Sequence, residues 1–317
     1  MNYRTANLVV DCLNSLALER ERGADFTVVV VDNASADGSV EVISKSIEVN
    51  KLSNFISLVG LNYNGGFSAG NNAAIRDALA QNESPEYIML LNPDTVVLEG
   101  ALLELTRFMD ANPNVGIAGS SLETLDGTLD CAAHRFHSPV SELLRGAQLG
   151  LLSRFFEKYT VSPAFVKIPH ECDWVSGASF VIRREVFDSI GLFDENYFLY
   201  FEEVDFCWRA KKKGWTVWSV PSARIIHLEG QATGITKIHT RRNNYWFESR
   251  RRFFINAYGV TGLFVADLLW SFGRFSNFIR IIIQGKINKE PKMIALDLLW
   301  GDIKAFVKAG SKVIKGE

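Results

Sequence analysis

Three carboxylates lie within four positions of the segment FLYFEEVDFCWRAKKKGW, residues 198–215. Glu202, Glu203 and Asp205 have aromatic neighbours on both sides, which would exclude the water that screens like charges. In a helix that begins near Glu202, Glu202 and Asp205 share a face and Glu203 lies about 100° around. One acid could then orient an arginine such as Arg209, while a partly desolvated neighbour serves as a general base. The alternative is a helix N-terminus that collects acids to suit its dipole.

Two further acids follow predicted strands. Asp32 ends the β-branched run in DFTVVVVDNAS (25–35), and Asp94 follows the strand in EYIMLLNPDTVV (86–97) on a turn fixed by Pro93. A single acid at a strand end usually caps the next helix or turn. Together, the two acids could bind one ligand: Asp32 could bind a base or ribose, and a divalent metal could bridge Asp94 to a diphosphate. Mg²⁺ and Mn²⁺ suit such a site because they bind through one or two carboxylates plus phosphate oxygens.

A glycine-rich stretch and a histidine could complete this edge. NYNGGFSAGNN (62–72) would let the backbone approach a ligand closely, with Asn71 or Asn72 capping the following helix. The alternative is an ordinary turn and helix cap. His227 follows the strand-like SARIIH. A lone histidine after an apolar run is more often a core residue, but it becomes a candidate metal ligand if the sheet brings it to Asp94.

Strand and helix patterns alternate over the first 125 residues. The predicted helices span 7–19, 37–46 and 100–112, with a glycine-rich turn into a further helix over 65–81, and the predicted strands span 25–35, 55–62, 86–97 and 115–122. This alternation predicts a doubly wound α/β sheet with its site at the carboxyl ends of the strands. A helical insertion follows residue 125. Only MNYRT precedes the first helix, so we expect the opening strand of such a sheet to lie upstream.

The charge distribution excludes a general nucleic-acid-binding protein. Residues 1–240 hold 20 basic and 30 acidic side chains, whereas 241–317 hold 14 basic and 6 acidic ones. This distribution favours a basic tail that binds an anionic surface, such as a layer of phospholipid headgroups. The four cysteines lie far apart without a CxxC pair, which favours reduced thiols in a cytosolic compartment.

The tail contains the most apolar window of the chain, FFINAYGVTGLFVADLLWSFG (253–273), directly after the arginine-rich and aromatic RRNNYWFESRRR. This composition predicts a peripheral membrane contact. The alternative is a set of helices that pack on the body of the protein. We therefore predict two domains: residues 1–240 and a helical tail over 241–317.

Five segments together resemble glycosyltransferase family 2: VVVVDNASADGSVEVI, NYNGGFSAGNN, LLNPDT, GASFVIRREVFDSIGLFDENYFLYFEEVDFCWRAKKKGW and HLEGQATG. They occur in the family's order over nearly residues 2–250. The resemblance implies an inverting enzyme of the GT-A fold, an α/β fold with a mostly parallel sheet, helices on both faces and here a C-terminal helical appendage. YWFESRRRFFINAYG further resembles the bacterial rhamnosyltransferase branch, which acts on lipid-linked or cell-surface glycans.

The resemblance also implies roles for individual residues. Asp94 matches the last acid of the family's metal-binding DxD motif, whose first acid is Asn92 here. His227 matches a metal-ligand histidine of part of the family, and the metal would be Mg²⁺ or Mn²⁺. Trp174 and Gly177 would edge the acceptor site. The nucleotide site implied by the resemblance comprises Tyr3, Asp32, Asn64, Gly65, Gly66, Phe67, Asn71, Asn92 and Asp94.

Glu203 stands where the family carries its catalytic base, in an acid pair that here reads Glu202–Glu203, and Asp205 completes the predicted catalytic group. The implied reaction is a single in-line displacement from a nucleotide-sugar donor, dTDP-L-rhamnose by resemblance to the branch, with UDP-sugars left open. The acceptor would be a hydroxyl group of a glycan or a lipid-linked glycan. We expect a cytoplasmic protein, peripheral on the inner face of the membrane, that could form a homo-oligomer.

Other function classes fit less well. A processive synthase is disfavoured because the sequence has no QxxRW stretch, and a nicotinamide-dependent dehydrogenase because it has no GxGxxG fingerprint. A non-catalytic member that binds nucleotide or partners stays open, since Asn92 replaces an acid and the N-terminus is short.

Overall fold

The computed structural model describes 1–81, 84–130, 132–228, 240–285, 291 and 293–315, and the side chains of these residues except 151 and 306–315. Cys131 and the end of the HLEGQATG motif, 229–234, lie outside the described residues. Contacts group the chain into two units. Unit 1 comprises Met1–Arg135, Ser162–Phe198 and Glu202–Gly234; unit 2 comprises Phe136–Val161, Leu199–Phe201 and Ile235–Glu317. The predicted boundary between 240 and 241 stays a prediction.

Helices and strands follow one another in the order that the sequence patterns predict up to residue 125. The helices are α1 (Ala6–Glu21), α2 (Ser39–Val49), α3 (Gly66–Ala80), α4 (Ala101–Ala111), α5 (Pro139–Ala147), α6 (Gly150–Phe155), α7 (Arg184–Ile190), α8 (Glu202–Lys212), α9 (Asn244–Ile283) and α10 (Ile294–Lys315), with a 3₁₀ turn at Glu157–Tyr159. The strands are β1 (Val28–Asp32), β2 (Ile56–Gly60), β3 (Tyr87–Leu91), β4 (Thr95–Val97), β5 (Val115–Glu123), β6 (Leu129–Asp130), β7 (Ala133–His134), β8 (His170–Cys172), β9 (Trp174–Val175), β10 (Ser179–Arg183) and β11 (Thr216–His227).

The central sheet of unit 1 has the strand order β3-β10-β5-β11-β4. β11 pairs with β5 in parallel, but β10 is antiparallel to both β3 and β5, and β4 is antiparallel to β11. β1 and β2 form a separate parallel pair. The predicted α/β class is therefore correct, whereas the mostly parallel order is wrong. Apolar runs identify buried strands, but strand direction depends on the connections, and parallel neighbours require a crossover.

One hydrophobic core joins these sheets to the flanking helices. The amphipathic first helix buries Val9, Leu13 and Leu16, and α4 buries Leu105 and Met109. All residues of β5 are buried, as expected for a strand covered on both faces. This packing holds the strand ends, and therefore the polar side chains that follow them, in fixed positions.

The first residues lie beside β1. Asn2 forms a parallel bridge with Asp32: its N–H donates to the carbonyl of Val31 at 2.7 Å, and its own carbonyl accepts the N–H of Asn33 at 2.9 Å. A single residue thus satisfies backbone groups at the end of β1. Whether a further strand precedes this position stays a prediction.

Unit 2 is helical, as the sequence predicts for the tail. α5 packs against α9 with close backbone contact: a Cβ on Gly146 would lie 2.4 Å from the carbonyl oxygen of Trp270, and one on Gly273 would lie 2.6 Å from that of Leu143. α9 is broken at Gly259, which has φ 72° and ψ 178°. Among the described residues α9 is the one helix long and apolar enough to cross a membrane, which alone is weak evidence because core helices of soluble proteins can have the same length and composition.

A buried ionic cluster links the helices of unit 2. Arg250 is 1% exposed; its guanidinium donates to Glu142 at 2.8 and 3.0 Å and to Asp267 at 2.8 Å. Burial alone would raise the pKa of Glu142, but the charges of Arg145 and Arg250 lower it to about 2. Asp302 contacts the same cluster, 3.9 Å from Arg250. Each buried charge here is stable only because its partners remain in place.

We expect Arg250→Ala to destabilise the protein by about 3–5 kcal/mol, because buried Asp267 loses its arginine partner and buried Glu142 keeps only one arginine partner, Arg145. The matched control is Arg241→Ala, which removes an exposed partner of Asp297 and should cost less than about 1 kcal/mol. Denaturant unfolding at neutral pH measures both values. Similar losses for the two variants would contradict a structural role for the buried cluster.

Candidate active site

Asp32 orders the turn that follows β1. Its carboxylate accepts hydrogen bonds from the side-chain amide of Asn2 at 2.7 Å, from the hydroxyl of Ser35 at 2.6 Å and from the N–H of Ser35 at 3.0 Å. Asp32 is only 2% exposed. Arg4 donates to the carbonyl of Ser35 at 3.2 Å and lies 5.1 Å from the centre of the Tyr3 ring. The contribution of Asp32 to a nucleotide site, which stays a prediction, would therefore include the shape of this turn.

Asn33 connects β1 to the glycine-rich loop. Its side-chain amide donates to Asn64 at 2.8 Å and to the carbonyl of Gly66 at 3.0 Å, and its oxygen accepts the N–H of Gly65 at 3.3 Å. The oxygen of Asn64 also accepts the N–H of Gly66 at 2.9 Å. The structure thus brings together two predicted parts of the site, Asp32 and the loop 64–67. Asn33 is not among the predicted site residues, although an asparagine directly after a strand-end acid can both donate and accept hydrogen bonds.

Gly66 is required by a contact within the protein. It has φ +80°, and a Cβ there would lie 2.0 Å from the carbonyl oxygen of Phe198. The N–H of Phe67 donates to the same carbonyl at 2.7 Å. The close approach that the sequence suggested for a ligand is thus made here to Phe198, four residues before α8. This contact fixes the loop against the segment that leads to the carboxylate cluster.

The predicted capping role of Asn71 or Asn72 is wrong. α3 begins at Gly66, because the left-handed glycine lets the chain turn into the helix earlier, so both asparagines lie inside the helix. Asn71 donates to the carbonyl of Phe67 at 2.9 Å. Asn72 donates to the carbonyl of Phe193 at 2.9 Å and accepts its N–H at 3.1 Å. Asn72 therefore ties α3 to the segment before α8, while a nucleotide contact of Asn71 stays a prediction.

Asp94 and His227 meet at the end of the central sheet. β11 pairs with β4 so that His227 lies opposite Thr95, and Nε2 of His227 is 3.3 Å from Oδ1 of Asp94. The N–H of Leu228 donates to the carbonyl of Asp94 at 3.0 Å. Nδ1 of His227 is buried without a hydrogen-bond partner among the described residues. The condition set by the sequence analysis is met: the sheet brings this histidine to the Asp94 edge.

These two residues fit a divalent metal. An octahedral metal holds neighbouring ligand atoms at right angles and at about 2.1 Å, which places these two atoms about 3 Å apart. The observed distance between Nε2 of His227 and Oδ1 of Asp94, 3.3 Å, is close to this value. Mg²⁺ and Mn²⁺ need few protein ligands when phosphate oxygens and water supply the rest. The described residues contain no group of three or more His, Cys, Asp or Glu side chains that could hold a metal without such help. The pair therefore suits a metal that binds together with a diphosphate.

Glu203 lies in the first turn of α8 with its side chain against Gly177. A Cβ on Gly177 would be 3.7 Å from Oε1 of Glu203, and the backbone of Gly177 hydrogen-bonds to the carboxylate. Oε2 is buried and has no partner in the described part of the chain. Burial raises the pKa of Glu203 to about 7, although hydrogen bonds from backbone groups of Glu203, Val204 and Gly177 oppose the rise. A carboxylate with a free oxygen and a pKa near neutrality suits a general base.

The other two acids of this cluster have different surroundings. Glu202 is 4% exposed, and burial raises its pKa well above the ordinary value, with the charge of Glu203 raising it further. Asp205 accepts from Arg209 at 2.7 Å and from the hydroxyl of Tyr197 at 3.2 Å. The predicted pairing of one acid with Arg209 is thus observed at Asp205. Because both oxygens of Asp205 are in use, its predicted catalytic role receives no support from its contacts, and we assign it a positioning role.

Trp174 lies in unit 1, close in sequence to Gly177, and two contacts fix its side chain. β9 pairs with β7, so Trp174 lies opposite His134 and stacks on it with ring centres 4.1 Å apart. Its indole N–H donates to the carbonyl of Arg135 at 2.9 Å. Trp174 lies three residues before Gly177, which contacts Glu203, so a proposed acceptor subsite at these residues would adjoin the candidate base.

A ladder hydrogen bond connects the two halves of the candidate site. The N–H of Asn92 donates to the carbonyl of Ala178 at 2.9 Å, at the end of the β3–β10 pairing. Asn92 lies two residues before Asp94, and Ala178 follows Gly177. The candidate metal ligand and the candidate base are therefore brought to the same edge of the sheet.

Comparison with known proteins identifies the family. Residues 1–191 match the sequence model of the family described as "Glycosyl transferase family 2". The chain belongs to glycosyl transferase family 2. The predicted enzyme class, a glycosyltransferase, is thereby confirmed. Glu203 and His227 lie beyond the matched residues, so their roles stay predictions.

Two curated relatives support the predicted branch of the family. The N-acetylglucosaminyl-diphospho-decaprenol L-rhamnosyltransferase of Mycobacterium tuberculosis is 29% identical over 233 residues, which cover 70% of this chain and 72% of the relative. The dTDP-rhamnosyl transferase RfbF of Shigella flexneri is 25% identical over 226 residues, 71% of this chain and 67% of the relative. The resemblance to rhamnosyltransferases within the family is confirmed.

A solved structure confirms the fold. The mannosyltransferase PcManGT from Pyrobaculum calidifontis, in complex with GDP-Man and Mn²⁺, superposes with a TM-score of 0.55 over 98% of this chain and 78% of that protein, at 14% identity. The chain therefore has the GT-A fold, with a helical C-terminal part.

We expect Gly66→Ala to destabilise the protein by more than about 2 kcal/mol, because the new methyl group would overlap the Phe198 carbonyl. Gly100→Ala is the matched control: Gly100 also has a positive φ of 75°, but nothing lies within 4 Å of its Cβ position. That variant should lose only about 1 kcal/mol of unfolding free energy. Equal losses would show that backbone conformation alone, and no contact with Phe198, requires Gly66.

The raised pKa of Glu203 predicts a pH-dependent change in stability. Between about pH 4.5 and 7 the folded state keeps a proton that the unfolded chain has released, so the unfolding free energy falls as pH rises. Glu203→Gln removes this loss and should stabilise the protein at pH 8 by up to about 3 kcal/mol. The gain should vanish near pH 4.5. Denaturant unfolding at both pH values measures it, and a pH-independent difference would contradict the raised pKa.

Proposed function

We propose that this protein is an inverting glycosyltransferase that moves L-rhamnose from dTDP-L-rhamnose to a hydroxyl group of a cell-surface or lipid-linked glycan. The named relatives support this choice: one name specifies an N-acetylglucosaminyl-diphospho-decaprenol and L-rhamnose, and the other a dTDP-rhamnosyl group. The biological setting would be the synthesis of cell-wall or other surface polysaccharide.

One observation carries the proposal: Glu203 stands beside Gly177 while Asn92 is bonded to the next residue, Ala178. A base for the acceptor hydroxyl and an edge for the donor diphosphate are thus neighbours. An inverting transfer needs this arrangement, since nucleophile, anomeric carbon and leaving group must lie in line.

In the proposed reaction Glu203 accepts the proton of the acceptor hydroxyl on a carboxylate oxygen. The acceptor oxygen forms a bond to the anomeric carbon of the donor, the bond from that carbon to the diphosphate breaks, and the configuration inverts. Burial keeps Glu203 basic enough for this step, because its pKa of about 7 favours proton uptake near neutral pH. Glu202, which is more deeply buried, would hold a proton and spare the site a second negative charge.

Asp94 and His227 would hold Mg²⁺ or Mn²⁺. When bound, the metal would neutralise the negative charge of the departing nucleoside diphosphate. The turn ordered by Asp32, with Tyr3 beside it, would receive the base, and the loop 64–67 and Asn71 would line the nucleotide pocket. Trp174 and Gly177 would receive the acceptor sugar.

The runner-up is a non-catalytic family member that binds a nucleotide or serves as a scaffold in glycan assembly. Asn92 in place of an acid favours it, since the metal edge has one carboxylate fewer. A transferase that uses a UDP-sugar is the second alternative. In each case we propose a cytoplasmic protein at the inner face of the membrane, with homo-oligomer formation compatible with the sequence.

We expect the purified protein to release nucleoside diphosphate from dTDP-L-rhamnose, and more slowly from other sugars, in a panel of nucleotide sugars with Mn²⁺. Glu203→Gln should lower kcat by about 10²- to 10⁴-fold, because the general base is lost, and still bind dTDP. The wild-type kcat should rise with pH to a plateau above pH 7. Turnover and the dTDP-induced rise in Tm are measured on the same preparations.

Two further variants complete the design. Glu185→Gln, an exposed glutamate on α7, should behave as wild type. Asp94→Asn should lose the additional rise in Tm that Mn²⁺ gives in the presence of dTDP. If dTDP and Mn²⁺ stabilise the wild type but no sugar of the panel is hydrolysed or transferred, the non-catalytic alternative is correct. If turnover occurs only with a UDP-sugar, the donor is that UDP-sugar and not dTDP-L-rhamnose.

A further inference from the structure

The second half of α9 presents an apolar surface to solvent. Between 260 and 283 every exposed residue except Thr261 is apolar, and none carries a charge. We call this set the apolar stripe: Val260, Phe264, Val265, Leu268, Phe272, Phe275, Phe278, Ile279, Ile282 and Ile283. Phe264, Phe272 and Phe275 are 61%, 68% and 62% exposed. A continuous stripe of this kind marks a binding surface, because scattered apolar residues would not share one helix face.

The opposite face of the same helix packs inside unit 2 and is more polar. It contains Asp267, bonded to Arg250, and Asn277, which accepts a hydrogen bond from Arg280 at 2.5 Å. Gly273 lies on this face against α5. The second half of α9 therefore buries its acid, leaves Arg274 and Arg280 half-buried and exposes its phenylalanines, whereas an ordinary surface helix buries its apolar face.

This arrangement does not suit a helix that crosses a bilayer. The break at Gly259 separates 260–283 from the arginine-rich first half of α9. A span would carry the buried cluster of Arg250, Glu142 and Asp267 into hydrocarbon together with α5. Ionised groups at that depth are costly, whereas a helix that lies flat buries one face only.

The net charge of residues 241–317 indicates which partner the apolar stripe binds. Residues 241–317 carry 14 basic and 6 acidic side chains, a net charge of +8. Anionic phospholipid attracts basic segments by about 1 kcal/mol per Lys or Arg near the surface. A second copy of the chain would bring two such tails together and repel. Phenylalanine-rich apolar faces are also typical of helices at a lipid interface.

α10 has the same character over its described side chains. Met293, Leu296, Leu299, Trp300 and Ile303 are exposed, and Leu298 and Asp302 are buried. The one exposed charge in 293–305 is Lys304, whose Nζ lies 5.3 Å from the centre of the Trp300 ring. A tryptophan beside a lysine that can extend toward water suits the headgroup layer.

We propose that unit 2 binds an anionic lipid surface by laying the apolar stripe of α9 flat into the interface, without crossing it. The inference deepens the proposed function, because it gives the transferase a lipid surface where lipid-linked acceptors reside. Residues 241–244 would lie among headgroups, while the Arg250 cluster stays within the protein.

The test uses the full-length protein and vesicles of phosphatidylcholine with and without phosphatidylglycerol. The variant Phe264→Ser/Phe272→Ser/Phe275→Ser should bind vesicles at least about tenfold more weakly than wild type, because three apolar side chains no longer insert. Phe155→Ser is the matched control, since Phe155 on α6 is 79% exposed and lies off the stripe. It should bind as wild type. Leaving out phosphatidylglycerol should weaken binding of the wild type.

Equal flotation of wild type and triple variant would overturn the proposal, as would binding that is indifferent to phosphatidylglycerol. Retention of the protein in vesicles after alkaline carbonate extraction would overturn the flat orientation. Light scattering could instead show that the wild type is a dimer and that the triple variant is a monomer. If the wild type then does not bind vesicles, the stripe binds a second copy of the chain. Nucleotide release from dTDP-L-rhamnose without vesicles should be unchanged in the triple variant, so failure of lipid binding and failure of the proposed activity are separable.

Discussion

The antiparallel pairing of β10 with β3 is the constraint on which the candidate site depends. Antiparallel strands place the start of one beside the end of the other. Gly177 and Ala178, just before β10, therefore lie at the edge where β3 ends and where Asn92 and Asp94 follow. A parallel β10 would have carried Gly177, and with it the contact to Glu203, to the opposite edge. The departure from the predicted parallel order is thus what assembles the site.

The three acids of the cluster differ because their partners differ. Asp205 is matched by Arg209 and Tyr197, and it fixes α8 to the segment before it. Glu202 has little contact with solvent and no ion pair among the described residues, so remaining protonated is its least costly state. Glu203 has one oxygen bonded to backbone and one without a partner in the part of the chain that the structure describes. Three acids in the first turn of one helix therefore differ in protonation and pairing. Their surroundings determine which of them can exchange a proton with a substrate.

Much of this arrangement could be predicted from sequence, and the misses have physical causes. Strand ends identified Asp32 and Asp94, and the meeting of Asp94 with His227 was a stated condition that β11 fulfils. Strand direction could not be read, since an apolar run looks the same in either orientation. The start of α3 was placed too late because the left-handed Gly66 is set by Phe198, more than a hundred residues away. Tertiary contacts of that range leave no local pattern.

Unit 2 shows why the insertion and the tail must be considered together. Glu142 comes from the insertion, while Arg250, Asp267 and Asp302 come from the tail. None of these charges could be buried without the others, so the insertion and the tail fold as one unit although two segments of unit 1, Ser162–Phe198 and Glu202–Gly234, lie between α5 and α9. In the second half of α9, Asp267 and Gly273 lie on the interior side, and the phenylalanines of this half lie on the surface. Covering an apolar exterior of this extent with a low-polarity phase is favourable, and this is the physical basis of the proposed contact between unit 2 and lipid.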